Sequence, residues 1–503
     1  PVTFPEPITL RRIMTHSAGF EEDSRDLVSD DPARAQGLKQ WLETHMPKRV
    51  RAPGTYTSYS NYSTALAGYA VERVSGEPWA EYIERHILSP LGMAHTTGVQ
   101  PLPSALAGDM SVGYRFVDGE YQPKKFEILI GGIPAGAIST TAADMAKFMV
   151  AHLANGAYPG GRILGDSISR VMQTQAMTHD PRIPGFALGF YEQSSHGPRV
   201  FGHGGDTQWF HTNLALVPSE GLGIFVTFNT DQGGALTESF TRLVLDHYFP
   251  APVPVPPTVP DAKVQAERVA GEYLSNRHSY TTYQKGFTLA TGAWEISPGK
   301  EGAIVLSSGG ETSRWLPVGA LLYREELGNG LLAFKADESG RVIRAFLGDN
   351  PTDANERLAW YESPTLHKKL LGGAIAVFVL TLIAGVGRWI RGRLGRLRPA
   401  EELPGRGWLY AMVLANLGFI VAVGSMASDP TALLFGKPTG LMRALALPVL
   451  GALFALVALG MAVRQWRQRA GTVDARLRYA AVVIVGLVFA WSLNQWNLLG
   501  WRT

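Results

Sequence analysis

Four uncharged apolar runs near the C-terminal end set the tightest limit on how this chain can fold. Leu370–Gly387 spans 18 residues, Gly407–Ser428 22, Ala444–Val463 20 and Tyr479–Trp501 23. As helices, each is long enough to cross about 30 Å of hydrocarbon. One such run could be a buried helix of a soluble protein, but four in succession predict a transmembrane region over 366–503. Trp491, Trp496 and Trp501 edge the last run and suit an interface belt. Asn416, Asn494 and Gln495 lie within the runs, where hydrogen bonding between helices accounts for them. No Asp, Glu, Lys, Arg or His falls inside any run, which argues against a transport pathway.

Charge gives this region a direction. From Lys368 onward there are 16 Lys and Arg against 4 Asp and Glu, a net +12; the residues before it carry 30 against 39, a net −9. Basic residues beside apolar runs point to a lipid bilayer as partner, and no nucleic-acid-binding motif accompanies them. The connection Arg388–Arg406 holds six Arg and Arg464–Arg478 five, whereas the one between them has only Lys437 and Arg443. The positive-inside rule then puts the first and third connections in the cytoplasm and the large N-terminal part on the periplasmic or exterior side of the cytoplasmic membrane. Lys368 and Lys369 weigh slightly the other way.

The rest of the chain divides by composition. Residues 1–250 mix helix patterns (Leu38–Thr44, Tyr62–Val74, Trp79–Leu88, Thr141–Ala154) with strand-like stretches (Val200–Phe201, Thr212–Val217, Gly223–Asn229), which predicts an α/β sandwich. Residues 251–261 form a proline-rich linker. Residues 262–362 carry short β-like runs at Thr288–Leu289, Ala303–Leu306, Leu321–Arg324, Leu331–Lys335 and Val342–Leu347, predicting a small antiparallel β-domain, sandwich or barrel. The chain has no Cys, which excludes disulfides, thiolate metal sites and a Cys nucleophile. Glu84-Arg85-His86 and His95 do not make a zinc-binding pattern, so no metal and no organic cofactor is expected. Thr141 and Asp144 read as a capping box.

Chemistry concentrates at two places. In Arg51–Gly76, RAPGTYTSYSNYSTALAGYAVERVSG, the Pro53-Gly54 turn precedes a helix that Gly76 ends, and Tyr59-Ser60-Asn61 stands at the helix mouth. A phenol whose pKa is lowered by a cationic neighbour can relay protons, and a carboxamide can hold a substrate amide or a catalytic ammonium. Gly202-His203-Gly204-Gly205 falls at a strand end, where glycines let a substrate backbone approach closely.

Five blocks in order carry a resemblance: ITLRRIMTHSAGF (Ile8–Phe20), PGTYTSYSNYSTALAGYAVERVSG, SPLGMAHT (Ser89–Thr96), PAGAISTTAADMAKFM (Pro134–Met149) and FGHGGDTQWFHTNLALVPSEGLGIFVTFN (Phe201–Asn229). Together they resemble the serine hydrolases related to class C β-lactamases and penicillin-binding proteins. The resemblance implies a β-lactamase/transpeptidase-like sandwich over 1–250, with Tyr59 assisting proton transfer and Asn61 positioning substrate or lysine. It also implies that His203, Gly204, Gly205 and Asp206 line the oxyanion side, the Asp206 N–H being one donor. His203 in place of the Lys of K-T-G resembles DD-peptidase-like and esterase-like members more than typical β-lactamases. The substrate would be a small molecule or peptide with an amide or ester bond, cell-wall peptides and β-lactams among them.

In such enzymes an S-x-x-K pair supplies the nucleophile upstream of the block matched by Thr15–Gly19. The S-x-x-K spelled here, Ser297-Pro298-Gly299-Lys300, contains a helix-breaking Pro-Gly, and Ser17 lacks the glycine framework of a nucleophile elbow. The expectation is therefore an N-terminally incomplete membrane-tethered hydrolase whose nucleophile lies outside this sequence. The alternative is a ligand-binding or sensor protein with a degenerate hydrolase domain.

Overall fold

His211–Val217 is a strand with almost no exposed face, because both of its faces are covered. Leu214 and Leu216 point one way, joining Phe201 and Met149, while Ala215 and Val217 point the other way with Val200 and Ile224. The strand is central in an antiparallel sheet ordered Leu222–Phe228, His211–Val217, Phe201–Asp206, Tyr191–Glu192. Helix Ala142–Leu153 packs against Leu222–Phe228 so closely that a Cβ on Gly223 would stand 2.9 Å from Met149 Sδ. Helix Gly233–Tyr248 covers the other face through Val244 and Leu245. This is the expected α/β sandwich.

The computed structural model describes residues 3–193, 197–250, 257–394, 403–426, 436 and 439–502. Most of the proline-rich linker expected at 251–261 lies outside them. The chain forms two units: Pro1–Arg277 with Trp294–Arg357, and His278–Ala293 with Leu358–Thr503.

In the first unit a closed antiparallel barrel follows the sandwich. Its strands are Gly271–Ser275, Trp294–Pro298, Ile304–Ser308, Glu311–Gly319, Leu322–Glu325, Leu331–Ala336, Val342–Leu347 and Asn355–Arg357. The first strand pairs with the last, Tyr273 opposite Arg357, so no strand is left as an edge. Tyr273, Ile304, Trp315, Tyr323 and Phe334 fill the interior, with Ala266 and Val269 of helix Ala262–Val269 packed into the same core. The β-like run at Thr288–Leu289 is not a strand. It opens a short helix, Thr288–Thr291, following a 3₁₀ turn at Tyr283–Phe287. Two residues are too few to show a strand period, and here burial of Tyr283 among the long helices decides the conformation.

The second unit holds four helices long and apolar enough to cross a membrane: Pro364–Arg393, Arg406–Met426, Gly440–Arg467 and Val473–Gln495. Only 11% of the most apolar stretch of Pro364–Arg393 is buried inside the protein. Leu380, Ile383, Leu414, Leu453 and Ile484 face outward, an arrangement that lipid satisfies and water does not. Small residues permit close helix approach: a Cβ on Gly451 would lie 2.3 Å from Asn416 Oδ1. Asn497 donates to the carbonyls of Tyr280 and Thr282, both at 2.9 Å, fixing the 278–293 excursion to the helices.

Candidate active site

The Tyr59 segment is extended because the residues on both sides hold its backbone. Ser60 (φ −144°, ψ 116°) caps helix Asn61–Ser75, its Oγ accepting from the Ser63 N–H at 3.2 Å; Gly76 closes the helix in the left-handed region at φ 76°. Replacing Ser60 by Ala is expected to cost about 1 kcal/mol of unfolding free energy. Denaturant titration in detergent reads this, and an unchanged midpoint would remove the cap from the account. On the other side the barrel loops grip the extended segment. The Tyr59 N–H donates to Thr352 O at 2.8 Å, Thr57 Oγ1 to Pro351 O at 2.7 Å, Asn276 Nδ2 to Thr57 O at 2.8 Å and Ser58 Oγ to Asn276 O at 3.2 Å.

Tyr59 and His203 meet in the fold although 144 positions separate them, the phenol oxygen lying 3.5 Å from His203 Nε2. His203 Nδ1 sits 2.5 Å from the Gly204 carbonyl, which can only accept. Nδ1 therefore carries the proton, and Nε2 presents its lone pair to the Tyr59 hydroxyl. Burial lowers the His203 pKa, with nearby Arg277 adding to the effect, so the ring is neutral at pH 7. His16 stacks on the other side of Tyr59 with ring centroids 4.0 Å apart, and its Nδ1 accepts from the Ser60 N–H at 3.1 Å. Burial, then the charges of His203 and Arg277, bring His16 down to about 3. The phenol itself departs from the expectation of a lowered pKa: burial raises it and outweighs the opposing pull of Arg277. The resting Tyr59 is a neutral phenol.

Strand Phe201–Asp206 offers a hydrogen-bonding edge beside this pair. It pairs with Tyr191–Glu192 only through Phe201 and Gly202. The next N–H on that edge, from Gly204, donates to the Tyr191 hydroxyl at 2.8 Å, and a Cβ on Gly204 would stand 3.0 Å from that oxygen. By ladder alternation the Asp206 N–H faces the same edge. The Asp206 carboxylate is engaged at the hairpin, 2.5 Å from His211 Nδ1. A Cβ on Gly205 would come within 2.7 Å of Thr212 Oγ1. Asn61 is the first residue of its helix and half-buried; its carboxamide makes no hydrogen bond among the described residues. The edge can receive an oxyanion and the phenol beside it can pass a proton, while the carboxamide at the start of the next helix is of a kind that can hold an amide.

Residues 3–248 match the family model described as beta-lactamase. The N-terminal domain is a beta-lactamase-family domain. Over 232 residues it is 26% identical to the D-alanyl-D-alanine-carboxypeptidase/endopeptidase AmpH of Escherichia coli K12, covering 44% of this chain and 58% of AmpH. Over 243 residues it is 25% identical to penicillin-binding protein 4 of Amycolatopsis lactamdurans, covering 47% and 62%. The chain thus spans about three-fifths of the length of these relatives. A solved octameric penicillin-binding protein homologue from Pyrococcus abyssi aligns over 70% of this chain and 79% of its own at 18% identity, with a TM-score of 0.41. Members of the beta-lactamase family are serine hydrolases.

Two positions set aside in the sequence have structural explanations in and beside the beta-lactamase-family domain. Ser17 is buried, with Oγ 3.0 Å from Thr15 Oγ1. Ser297 lies in barrel strand Trp294–Pro298 and Lys300 in the turn after it. Asp144 corrects the capping-box expectation. Thr141 does accept from the Asp144 N–H at 3.2 Å, but the Asp144 carboxylate binds the His95 N–H at 2.8 Å, Thr96 Oγ1 at 2.9 Å and Lys147 Nζ at 2.8 Å. It clamps the loop after Leu91 to the helix.

Sequence reasoning missed Arg277 and Glu22. The Arg277 guanidinium lies over the Tyr59 ring, 4.6 Å from its centroid, and its Nε is 3.4 Å from Glu22 Oε2. No motif surrounds Arg277, and its ion-pair partner is 255 positions away.

Proposed function

We propose that this protein is a membrane-tethered serine hydrolase that cleaves an amide or ester through an acyl-enzyme on the outer side of the cytoplasmic membrane. The observation that carries the reading is the meeting of Tyr59 and His203 at 3.5 Å beside the half-paired strand edge of a beta-lactamase-family domain. In this reading a serine, activated by a lysine one helical turn away and supplied from outside this sequence, attacks the carbonyl. Tyr59 passes the serine's proton toward the leaving group, Asn61 holds the substrate amide or the lysine, and the Asp206 N–H stabilises the oxyanion. The names of the relatives make peptides ending in D-alanyl-D-alanine the first substrates to try. The Arg-rich first and third connections support the outward orientation.

A membrane-impermeant fluorophosphonate tests chemistry and orientation together. Intact spheroplasts expressing this chain, or the chain extended to its natural start, are treated and the adduct is mapped by mass spectrometry. Labelling of the extended protein alone, at an upstream serine, is the expected result. Labelling that requires lysed cells reverses the orientation. If neither form labels, before or after lysis, the ligand-binding or sensor reading takes its place.

A further inference from the structure

We propose that the barrel forms a wall of the candidate active site and that Arg277 is the positioning residue through which it acts on Tyr59. The inference rests on the reading of Tyr59 given above and adds a residue from outside the matched domain. Two sets of contacts carry it. One is the set of four hydrogen bonds already described, one between main chains and three from side chains to carbonyls, by which the loops around Asn276 and Pro351–Thr352 hold Thr57, Ser58 and Tyr59. The other is the guanidinium on the phenol face. Arg277 directly follows Asn276, so the loop that fixes the Thr57 carbonyl also fixes the cation over the ring.

The geometry gives the cation a definite task. A guanidinium on the ring face favours the electron-rich phenolate over the phenol and holds the ring plane, leaving the hydroxyl directed at His203. Its charge is tempered by Glu22 at 3.4 Å; the Arg277 side chain is 40% exposed and that of Glu22 18%, and burial raises the Glu22 pKa while Arg277 opposes that rise. Asp353 acts on Arg277 and not directly on the phenol. Burial raises its pKa, Arg277 opposes that, and its carboxylate accepts from Ser275 Oγ. The charged and titratable groups around the Tyr59 phenol are thus Arg277, Glu22, Asp206, His203 and His16. Arg277 favours ionisation of the phenol, and Glu22 and Asp206 oppose it.

Removing either member of the ion pair breaks the same contact but changes the field at Tyr59 in opposite directions, which separates this role from simple packing. The test is a titration of the full chain in detergent, labelled with ¹³Cζ-tyrosine, with the Tyr59 signal assigned by its loss in Tyr59→Phe. In Arg277→Met the Tyr59 midpoint is expected to rise by roughly one pH unit, about a tenfold change in the ionisation constant. In Glu22→Gln it is expected to fall below that of the unchanged protein, and Arg277→Lys, which keeps the charge, to stay within a few tenths of a unit. Shifts of the same sign in Arg277→Met and Glu22→Gln, or a Tyr59 signal that behaves alike in all forms up to pH 11, would overturn the proposal. The readout needs no turnover. A Tyr59 that responds to Arg277 while Tyr59→Phe leaves hydrolysis unchanged would sink the proton-relay role given to Tyr59 above and leave this inference standing.

Discussion

If the protein is the acyl-enzyme hydrolase proposed above, replacing Tyr59 by Phe is expected to slow acylation by about a hundredfold or more. The substitution removes one oxygen, the one 3.5 Å from His203 Nε2, and keeps the ring. That ring still stacks on His16 at 4.0 Å and still lies under the Arg277 guanidinium. Unfolding midpoints should therefore barely move while the acylation rate falls. Because the resting phenol is neutral, the loss should persist over the whole pH range in which the fold holds and not shrink toward its acid end, as it would if a phenolate base were being titrated away. Ester turnover followed by stopped-flow reads the acylation step, and near-normal rates would remove Tyr59 from the proton path.

The second large effect is loss of the fold in mild acid. His16 and His179 are held near 3 and His152 near 4, in each case first by burial. His152 sits between Phe148 and Phe190, and His179 stacks on Phe346 while accepting from the Thr57 N–H at 3.0 Å. All three have folded pKa values below the unfolded value of about 6.5, so the unfolded chain binds more protons throughout the interval between them. Their contribution is complete above pH 6.5 and declines as pH falls toward 4. At pH 5 the three together withdraw about 6 kcal/mol, comparable with the whole stability of an ordinary domain. Denaturant unfolding between pH 7.5 and 5 should show this slope. A stability independent of pH over that interval would mean that these imidazoles are not held neutral.

Legibility in the sequence followed the range of each interaction. The four apolar runs announced themselves because a membrane helix needs only its own length and composition. Tyr59 and His203 could be singled out because each sits in a local pattern, a turn before a helix and a glycine-rich strand end. Their meeting could not be read from either pattern, only expected from a family likeness. The barrel stayed undecided between sandwich and closed form because alternation tells a strand which side is buried and says nothing of closure. The pairing of Tyr273 with Arg357 makes that choice. Arg277 left no trace because its meaning depends on Glu22 and Tyr59, and neither is near it in sequence. The lowered phenol pKa was expected from charge alone; the structure adds burial, which acts in the opposite direction and prevails.

The excursion at 278–293 has a practical corollary for anyone wishing to work without detergent. The polypeptide passes from one unit to the other after Arg277, returns before Trp294 and leaves again after Arg357, so the two are stitched together three times. Cutting once, ahead of Pro364, would discard the helices yet retain Tyr283 and Phe287, whose apolar surfaces belong to the helical core. A water-soluble form needs a second edit that trades 278–293 for a short turn. That edit begins at the residue next to Arg277, so the surgery that frees the first unit from the apolar helices starts at the edge of its candidate active site.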